Sequence, residues 1–515
     1  MSKGKLLAVS IVWLLILAVG VGVWKIVFAP AVELSKEEQQ RRAAEQAQQE
    51  RDAALRKGGS DSRYRTQVNI ALDGFSGYAV LRSPEFAEEL RSQGIKLELI
   101  DDGADYEERL NSLKQGDTDM AVFTVDALVK TSAKLNALPA TIVALVDETV
   151  GADAIVAYKE TFPNVAALND PDTKFILTPD SPSETLARVV MSRFDLDRLG
   201  SEPFIKVNDA AQVLERYKAA RPGDKFAYVL WEPYVTQMLQ NDRVHVVVDS
   251  SRFPSAIVDV LVASDDYIAK NRETVVAVVK AYLKVNYQYR SDAARTKLVI
   301  ADAKASGTAL SEAEAKRLVE GVWWKNTQEN LAHMGVRTGT RLPHLEDMIA
   351  GVVAVLLESD SIASDPTDGH PNYLYNDSVM NDLAAFHPGV DSEQIRGTEM
   401  PKLSDSQWNS LVEVGTARAP TLVFARGTAR LTERSRSLLD ELAGTLQSTR
   451  YYVIVRGNAS RRGNLEANKK LAEQRAHEVE QYLTSQGVDA DRIRAIGVEP
   501  SGSTSVTFLL GELPY

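Results

Sequence analysis

The chain has 515 residues, 44% hydrophobic and 25% charged, with no cysteine. That length calls for two or more domains, and without cysteine there is no disulfide framework, thiolate metal site or cysteine nucleophile. Lys and Arg number 59 against 71 Asp and Glu, a formal net charge of −12, which weighs against nucleic acid as a partner because phosphate neutralisation needs a basic surface.

No charged residue lies between Leu6 and Trp24, a run long enough as a helix to cross most of a bilayer's hydrocarbon layer. Residues 6–28 are therefore expected to form a transmembrane helix, with 1–5 as a cytoplasmic N-terminus. A cleaved signal ending near Ala29-Pro30-Ala31 is the alternative. The span holds no acidic residue, so it lacks the carboxylate that an ion-driven motor subunit would need. Ser35 to Lys57 is rich in Glu, Gln, Arg and Ala and stops at Gly58-Gly59, which reads as a solvated helical spacer within a stalk over 29–63.

From Tyr64 short apolar strands alternate with amphipathic helices, the pattern of an α/β domain built on parallel sheet. "QVNIAL" leads into the turn Asp73 to Tyr78, and Ser83-Pro84 opens a helix, serine as cap and proline at the first helical position. A helix from about Tyr106 to Lys114 stops at Gly116, and "DMAVFT" is a strand that delivers Thr124 and Asp126 into a loop. Further strands are "TIVALV", "DAIVAY" and "KFILT", the last running into the helix start Pro179 to Glu184. "FAYVLWEPY" places Trp231, Glu232 and Tyr234 after another strand. Aromatic and hydroxyl residues recurring at strand ends suggest a cleft for a small organic molecule.

Arg272 to Ser291 carries apolar residues at helical spacing, and Ser311 to Glu314 reads as a capping box opening a helix that ends near Gly335. Trp323-Trp324 reads as core. Residues 365–410, rich in Pro, Gly, Asn and Asp, are expected to be a linker. The remainder, 411–515, reads as an α+β domain: strand and helix in "TLVFARGTARLTERSRSLLDELAGTLQ", a strand in "YYVIVRG", a helix from about Leu465 to Ser485, and a final strand in "STSVTFLLG".

"ALDGFSGYAVLRSPEF", "QGDTDMAVFTVDALV", "VDETVGADAIVAYKE" and "WEPY", in that order, resemble the periplasmic solute-binding proteins of the nitrate, sulfonate and taurine ABC-transporter class. The resemblance covers about Tyr64 to Glu358, within a solute-binding domain expected over 64–364. It implies a two-lobed α/β domain of the periplasmic-binding-protein type II kind, closing on a ligand by a hinge. The ligand-facing positions it implies are Phe75, Ser76, Gly77 and Tyr78, Thr124 and Asp126, Glu148 and Thr149, Asp180 and Ser181, and Trp231 and Glu232. That family often binds anions, for which a helix start such as Ser181 to Thr185 is suited. Here Asp126, Glu148, Asp180 and Glu232 crowd the ligand-facing positions, none of which is Lys or Arg, and Phe75, Tyr78 and Trp231 offer aromatic faces, so a zwitterionic or cationic ligand is expected.

"VRGNASRRGNLEANKKLAEQRAHEVEQYLTSQGVDADRIRAIGVEP" resembles the OmpA-like peptidoglycan-binding domain. In that family an Asp and an Arg fifteen positions later grip the diaminopimelate group. The Arg corresponds to Arg475, whose guanidinium suits a carboxylate; the Asp position falls on Ser460, which cannot neutralise an ammonium group. Asn458, Ser460, Arg461 and Asn468 are the surrogate ligands, with Arg475, for peptidoglycan.

The six histidines, at 245, 333, 344, 370, 387 and 477, form no H-E-x-x-H. Gly74 to Gly77 is not a nucleophile elbow, because the glycine follows the serine directly, and there is no phosphate loop. No enzyme activity, metal or cofactor is expected. The sequence reads as a single-pass inner-membrane protein with its bulk in the periplasm: a receptor for a small solute, linked to a transporter or sensor and touching the cell wall. The alternative is a structural bridge from membrane to peptidoglycan with no ligand.

Overall fold

A computed structural model describes residues 64–307, 309–390, 393–397, 399–419, 421–425, 427–498 and 505–513. The expected transmembrane helix, its N-terminal flank and the stalk lie outside the described residues; among the described residues no helix is long and apolar enough to cross a membrane. The chain divides into two units, Met1–Gln67 with Gln93–Lys96, and Val68–Ser92 with Leu97–Tyr515. The cleft described below lies wholly in the second.

Among the described residues the strands form three sheets. The first is six-stranded, with β1 (Thr66–Leu72), β2 (Ile95–Asp101), β3 (Met120–Thr124), β4 (Ala140–Thr149), β10 (Val258–Ser264) and β11 (Val322–Trp324) in the order β11-β4-β10-β3-β1-β2. The second is five-stranded, with β5 (Asp153–Tyr158), β6 (Lys174–Leu177), β7 (Phe204–Lys206), β8 (Phe226–Trp231) and β9 (Val244–Asp249) in the order β7-β6-β8-β5-β9. The chain passes from the first to the second between β4 and β5, and returns between β9 and β10. The two crossings are tied together: the Thr149 amide donates to the Ile257 carbonyl at 3.1 Å and the Gly151 amide to the Ser250 hydroxyl at 2.8 Å. Gly151 has φ +130°, a backbone conformation that side-chain-bearing residues rarely adopt.

The expected parallel sheet is mixed. β1 and β3 are parallel, but β10, re-entering from the second lobe, runs antiparallel to both β3 and β4. β5 likewise runs antiparallel to β8 and β9. The returning strand comes back against the direction in which β3 runs, so a second crossing imposes the antiparallel pairs.

Local signals place the helices that matter. In α1 (Tyr106–Gln115) the Asp105 carboxylate caps the Glu108 amide at 3.0 Å, and left-handed Gly116 ends it. Thr124 caps α2 (Val125–Leu135) through the Ala127 amide. Pro182 begins α3 (Pro182–Arg193). α4 (Asp265–Gln288) packs along the first lobe, and α5 (Leu345–Glu358) touches both α2 and α3.

Two expectations after residue 300 change. The Ser311 capping box forms, but its helix stops at Glu320; Trp323 and Trp324 then sit on β11, buried, and a separate helix spans Thr327–His333. The edge of β4 is open there and takes β11 antiparallel. Much of the expected linker 365–410 belongs instead to the first lobe, because Leu374, Val379 and Met380 are apolar and fully buried, on short helices at Pro371–Leu374 and Ser378–Asp382.

The third sheet has β12 (Val412–Thr416), β13 (Tyr452–Gly457), β14 (Ile493–Gly497) and β15 (Val506–Glu512) in the order β12-β15-β13-β14, with α6 (Glu433–Gln447) and α7 (Leu465–Ser485) against it. The strand expected in "TLVF" reduces to one bridge, Phe424 with Leu431. The Ser435 hydroxyl accepts from the Val423 amide and donates to its carbonyl, both at 2.8 Å, so a side chain satisfies the backbone that a ladder would have paired.

Candidate functional site

A cavity of about 850 Å³ lies between the two lobes. It collects the ends of β1, β3 and β4 from one lobe and of β6 and β8 from the other, where open α/β sheets gather ligands. Of the ligand-facing positions expected from the sequence, Phe75, Ser76, Tyr78, Thr124, Thr149, Asp180, Ser181, Trp231 and Glu232 line it. Phe75 and Tyr78 stand edge to face at 5.3 Å.

Gly77, Asp126 and Glu148 do not line it. Gly77 lies beneath the wall, its carbonyl accepting from the Trp324 indole at 2.7 Å. Asp126 accepts a hydrogen bond from the Thr185 hydroxyl of α3; burial raises its carboxyl above the ordinary range, and the Thr185 bond offsets only part of this. Glu148 is buried in an ion pair with fully buried Lys325 at 2.5 Å and accepts from the Ser255 amide at 2.8 Å. Burial alone would raise its carboxyl, but Lys325 holds it below the usual range.

The remaining electrostatics come from residues the motifs did not single out. Asp73 lines the cavity and pairs with the buried Arg109 guanidinium at 3.1 Å, which also grips Asp102. Asp302 pairs with Arg82 at 2.5 Å. Asp259 accepts from the Tyr78 hydroxyl and lies against Asp147, both fully buried. Burial raises both carboxyls; the charge of Asp147 adds to the rise at Asp259, while a hydrogen bond from Asp259 offsets part of the rise at Asp147. One shared proton accounts for that geometry. Asp153, at the start of β5, is 3% exposed, and burial pushes its carboxyl up to about 7. Asp73, Tyr78, Arg82, Asp147 and Asp153 sit inside the quoted motifs, whereas Asp102, Arg109, Asp259 and Asp302 lie outside them, and only the fold brings the two sets together.

Side chains from opposite lobes also meet. Lys130 of α2 pairs with Asp180 and, at 3.3 Å, with Glu184 of α3; Arg317 pairs with Glu232 at 2.9 Å. Among the described residues no cluster of His, Asp and Glu could hold a metal ion.

In the C-terminal domain, Asn468 donates to the carbonyls of Ser460 and Arg462 at 2.7 and 2.8 Å, fixing the loop after β13. Asn458 accepts from the Ala459 amide at 2.8 Å. Arg461 is exposed on the same loop. Arg475, two turns beyond Asn468 on the same face of α7, is largely buried. Its Nε donates to the Thr428 carbonyl at 3.2 Å and its guanidinium lies 4.9 Å from the Phe424 ring. No carboxylate pairs with it among the described residues, and burial lowers its pKa.

A family model described as OmpA family matches residues 423–503. Over 108 residues, 20% of this chain, the sequence is 30% identical to an Outer membrane protein A of Buchnera aphidicola subsp. Schizaphis graminum (strain Sg), of which it spans 29%. Among solved structures, the periplasmic aliphatic sulphonate binding protein SsuA from Escherichia coli has a TM-score of 0.46 at 15% identity, covering 61% of this chain and 99% of that one. The periplasmic nitrate-binding protein NrtA from Synechocystis PCC 6803 has a TM-score of 0.46 at 11% identity, covering 62% and 88%. Residues 423–503 are an OmpA-family domain, carried on a body of two α/β lobes.

Proposed function

We propose that the protein is an envelope receptor that captures a small organic solute by closure of its two lobes and contacts peptidoglycan through its OmpA-family domain. The observation that carries the reading is the interlobe cavity of about 850 Å³, walled from both lobes by aromatic and polar groups, the size and lining of a small-molecule site. The proposal includes the inner-membrane anchor at residues 6–28, a periplasmic body, and a membrane transporter or sensor as partner. Arg475, buried without a carboxylate partner among the described residues, supports recognition of a carboxylate of the wall peptide.

A thermal-shift screen of the full chain in detergent against amines, amino acids, sulfonates and inorganic anions tests ligand capture. A ligand that binds only the folded state raises the melting temperature, and Trp231→Ala should reduce the shift. Pull-down with isolated peptidoglycan, retained by the parent protein and lost in Arg475→Ala, tests wall contact. A structural bridge without a ligand is the second reading, favoured by one observation: the lobes already meet through Lys130 with Glu184 and Arg317 with Glu232. No shift with any compound, together with retained wall binding, would select it.

A further inference from the structure

The cleft's charge inventory says more about its ligand than the aromatic walls do. Ten carboxylate residues and two lysines line the cavity, and both lysines are already engaged, Lys130 with Asp180 and Glu184, Lys134 with Glu107 at 3.4 Å and Asp180 at 3.8 Å. Neither is left to receive an anion.

The helix start that would suit an anion is occupied as well. Glu184 turns back so that its own carboxylate accepts from the Asp180 amide at 2.7 Å, with Lys130 and Arg188 against it. Although burial would raise this carboxyl, those partners bring it down to about 2. A permanent internal anion therefore stands at the start of α3 and disfavours a second negative charge there.

On the opposite count, several lining carboxylates have their own cations, Asp73 with Arg109, Asp302 with Arg82 and Glu232 with Arg317. Asp153 does not: among the described residues no Lys or Arg pairs with it. It stands opposite Trp231 across the antiparallel pair β5 and β8, which puts carboxylate and indole side by side on one face. Thr149, also lining the cavity and 3% exposed, turns its hydroxyl to the Asp153 carboxylate, whose rise it offsets only in part. A buried carboxylate without a cation, the hydroxyl beside it and an indole face form a receptor for an ammonium group.

We propose that the cleft takes an organic cation, its ammonium group seated against Asp153, Thr149 and Trp231 at the crossing between the lobes. The inference rests on the receptor reading and names its ligand class. Binding also moves a proton. The groups facing Asp153 are the Thr149 hydroxyl and, at longer range, Asp126 and Asp147; none is a cation, so the empty site keeps this carboxyl partly protonated near pH 7. A seated ammonium favours the ionised form, and the displaced proton goes to solvent.

The test is calorimetry on the full chain in detergent, with putrescine, choline and ethanolamine as cations, and methanesulfonate, nitrate and acetate as anions. The expected result is binding of at least one cation, tightening from pH 6 to pH 8, with a heat that differs between phosphate and Tris buffers through proton release. Asp153→Asn should weaken it at least tenfold and remove the pH dependence. Trp231→Ala, at a partly exposed wall position, should weaken it with the pH dependence kept, and serves if the Asn variant fails to fold. Binding of an anion but no cation overturns the inference and leaves the receptor reading standing. Binding of neither class by a cooperatively melting protein overturns both.

Discussion

Lys325 and Glu148 form a buried ion pair behind the cleft, with the Lys325 ammonium also 3.1 Å from the centroid of the Trp323 ring. Burial lowers the lysine's pKa, and Glu148 counteracts it. Removing one partner of such a pair strands a charge at a cost of about 3–5 kcal/mol, whereas replacing both with apolar groups is often neutral. Lys325→Met should therefore cost about that much in denaturant unfolding, and Lys325→Met with Glu148→Leu should recover most of it. Asp153 makes a second prediction at this scale. Its carboxyl is raised in the folded protein, so its contribution to stability is fully present below the ordinary carboxylate value and is lost as pH rises through about 7. Without ligand the protein should unfold at lower denaturant at pH 8 than at pH 5. Asp153→Asn should flatten part of that slope; Asp147 and Asp259 are raised in the same direction, while buried His333, held down to about 3, works against it.

Between elements, the contact of α2 with α3 acts as a clasp across the cleft. Asp126 with Thr185 and Lys130 with Glu184 join helices of opposite lobes, and α5 packs on both. Lys130→Ala removes the cation from this clasp. The expected outcome is a larger radius of gyration by small-angle scattering without ligand, with added ligand restoring the compact form. In the C-terminal domain the fit of helix on sheet depends on one glycine. A Cβ at Gly457, at the end of β13, would meet the Ala472 carbonyl oxygen of α7 at 2.0 Å. That oxygen is backbone and cannot swing aside, so Gly457→Ala must push α7 off the sheet. A loss of about 1–3 kcal/mol is expected, the range for overpacking, measurable by denaturant unfolding.

At the scale of the molecule, the OmpA-family domain and the second lobe share one apolar core. Phe194 and Phe253 of the lobe face Tyr451 at 5.8 and 6.4 Å, Arg252 pairs with Glu512 at 2.6 Å, and the Asp195 amide donates to the Thr416 carbonyl at 3.0 Å. A domain fixed in this way must travel with the second lobe when the cleft opens or closes. The chain has no cysteine, so spin labels at introduced cysteines report without background. Ligand should change the distance between Ala87→Cys in the first lobe and Gln474→Cys in the OmpA-family domain. It should leave that between Lys218→Cys in the second lobe and Gln474→Cys unaltered. Tyr451→Ala, removing the ring at the centre of the joint, should cost about 3–5 kcal/mol and release the second distance.

What the sequence by itself determined is local. Caps and stops at Asp105, Gly116, Ser311 and Asn464 are short-range chemistry and stand where the residue types put them. The apolar stripe of α7 fixes its range in the same way, and the OmpA-family motif rests on residues close together in the chain. Nine of the twelve expected ligand-facing positions reach the cavity wall, because they sit on loops that follow strand ends. What only the tertiary structure decided is long-range pairing. The antiparallel return of β10 and the shared core around Tyr451 depend on partners far apart in sequence. The same is true of the ion pairs that turn Glu148 and Glu184 inward and of the isolation of Asp153. A carboxylate's role follows from which cation the fold brings beside it, and residue type alone does not carry that information.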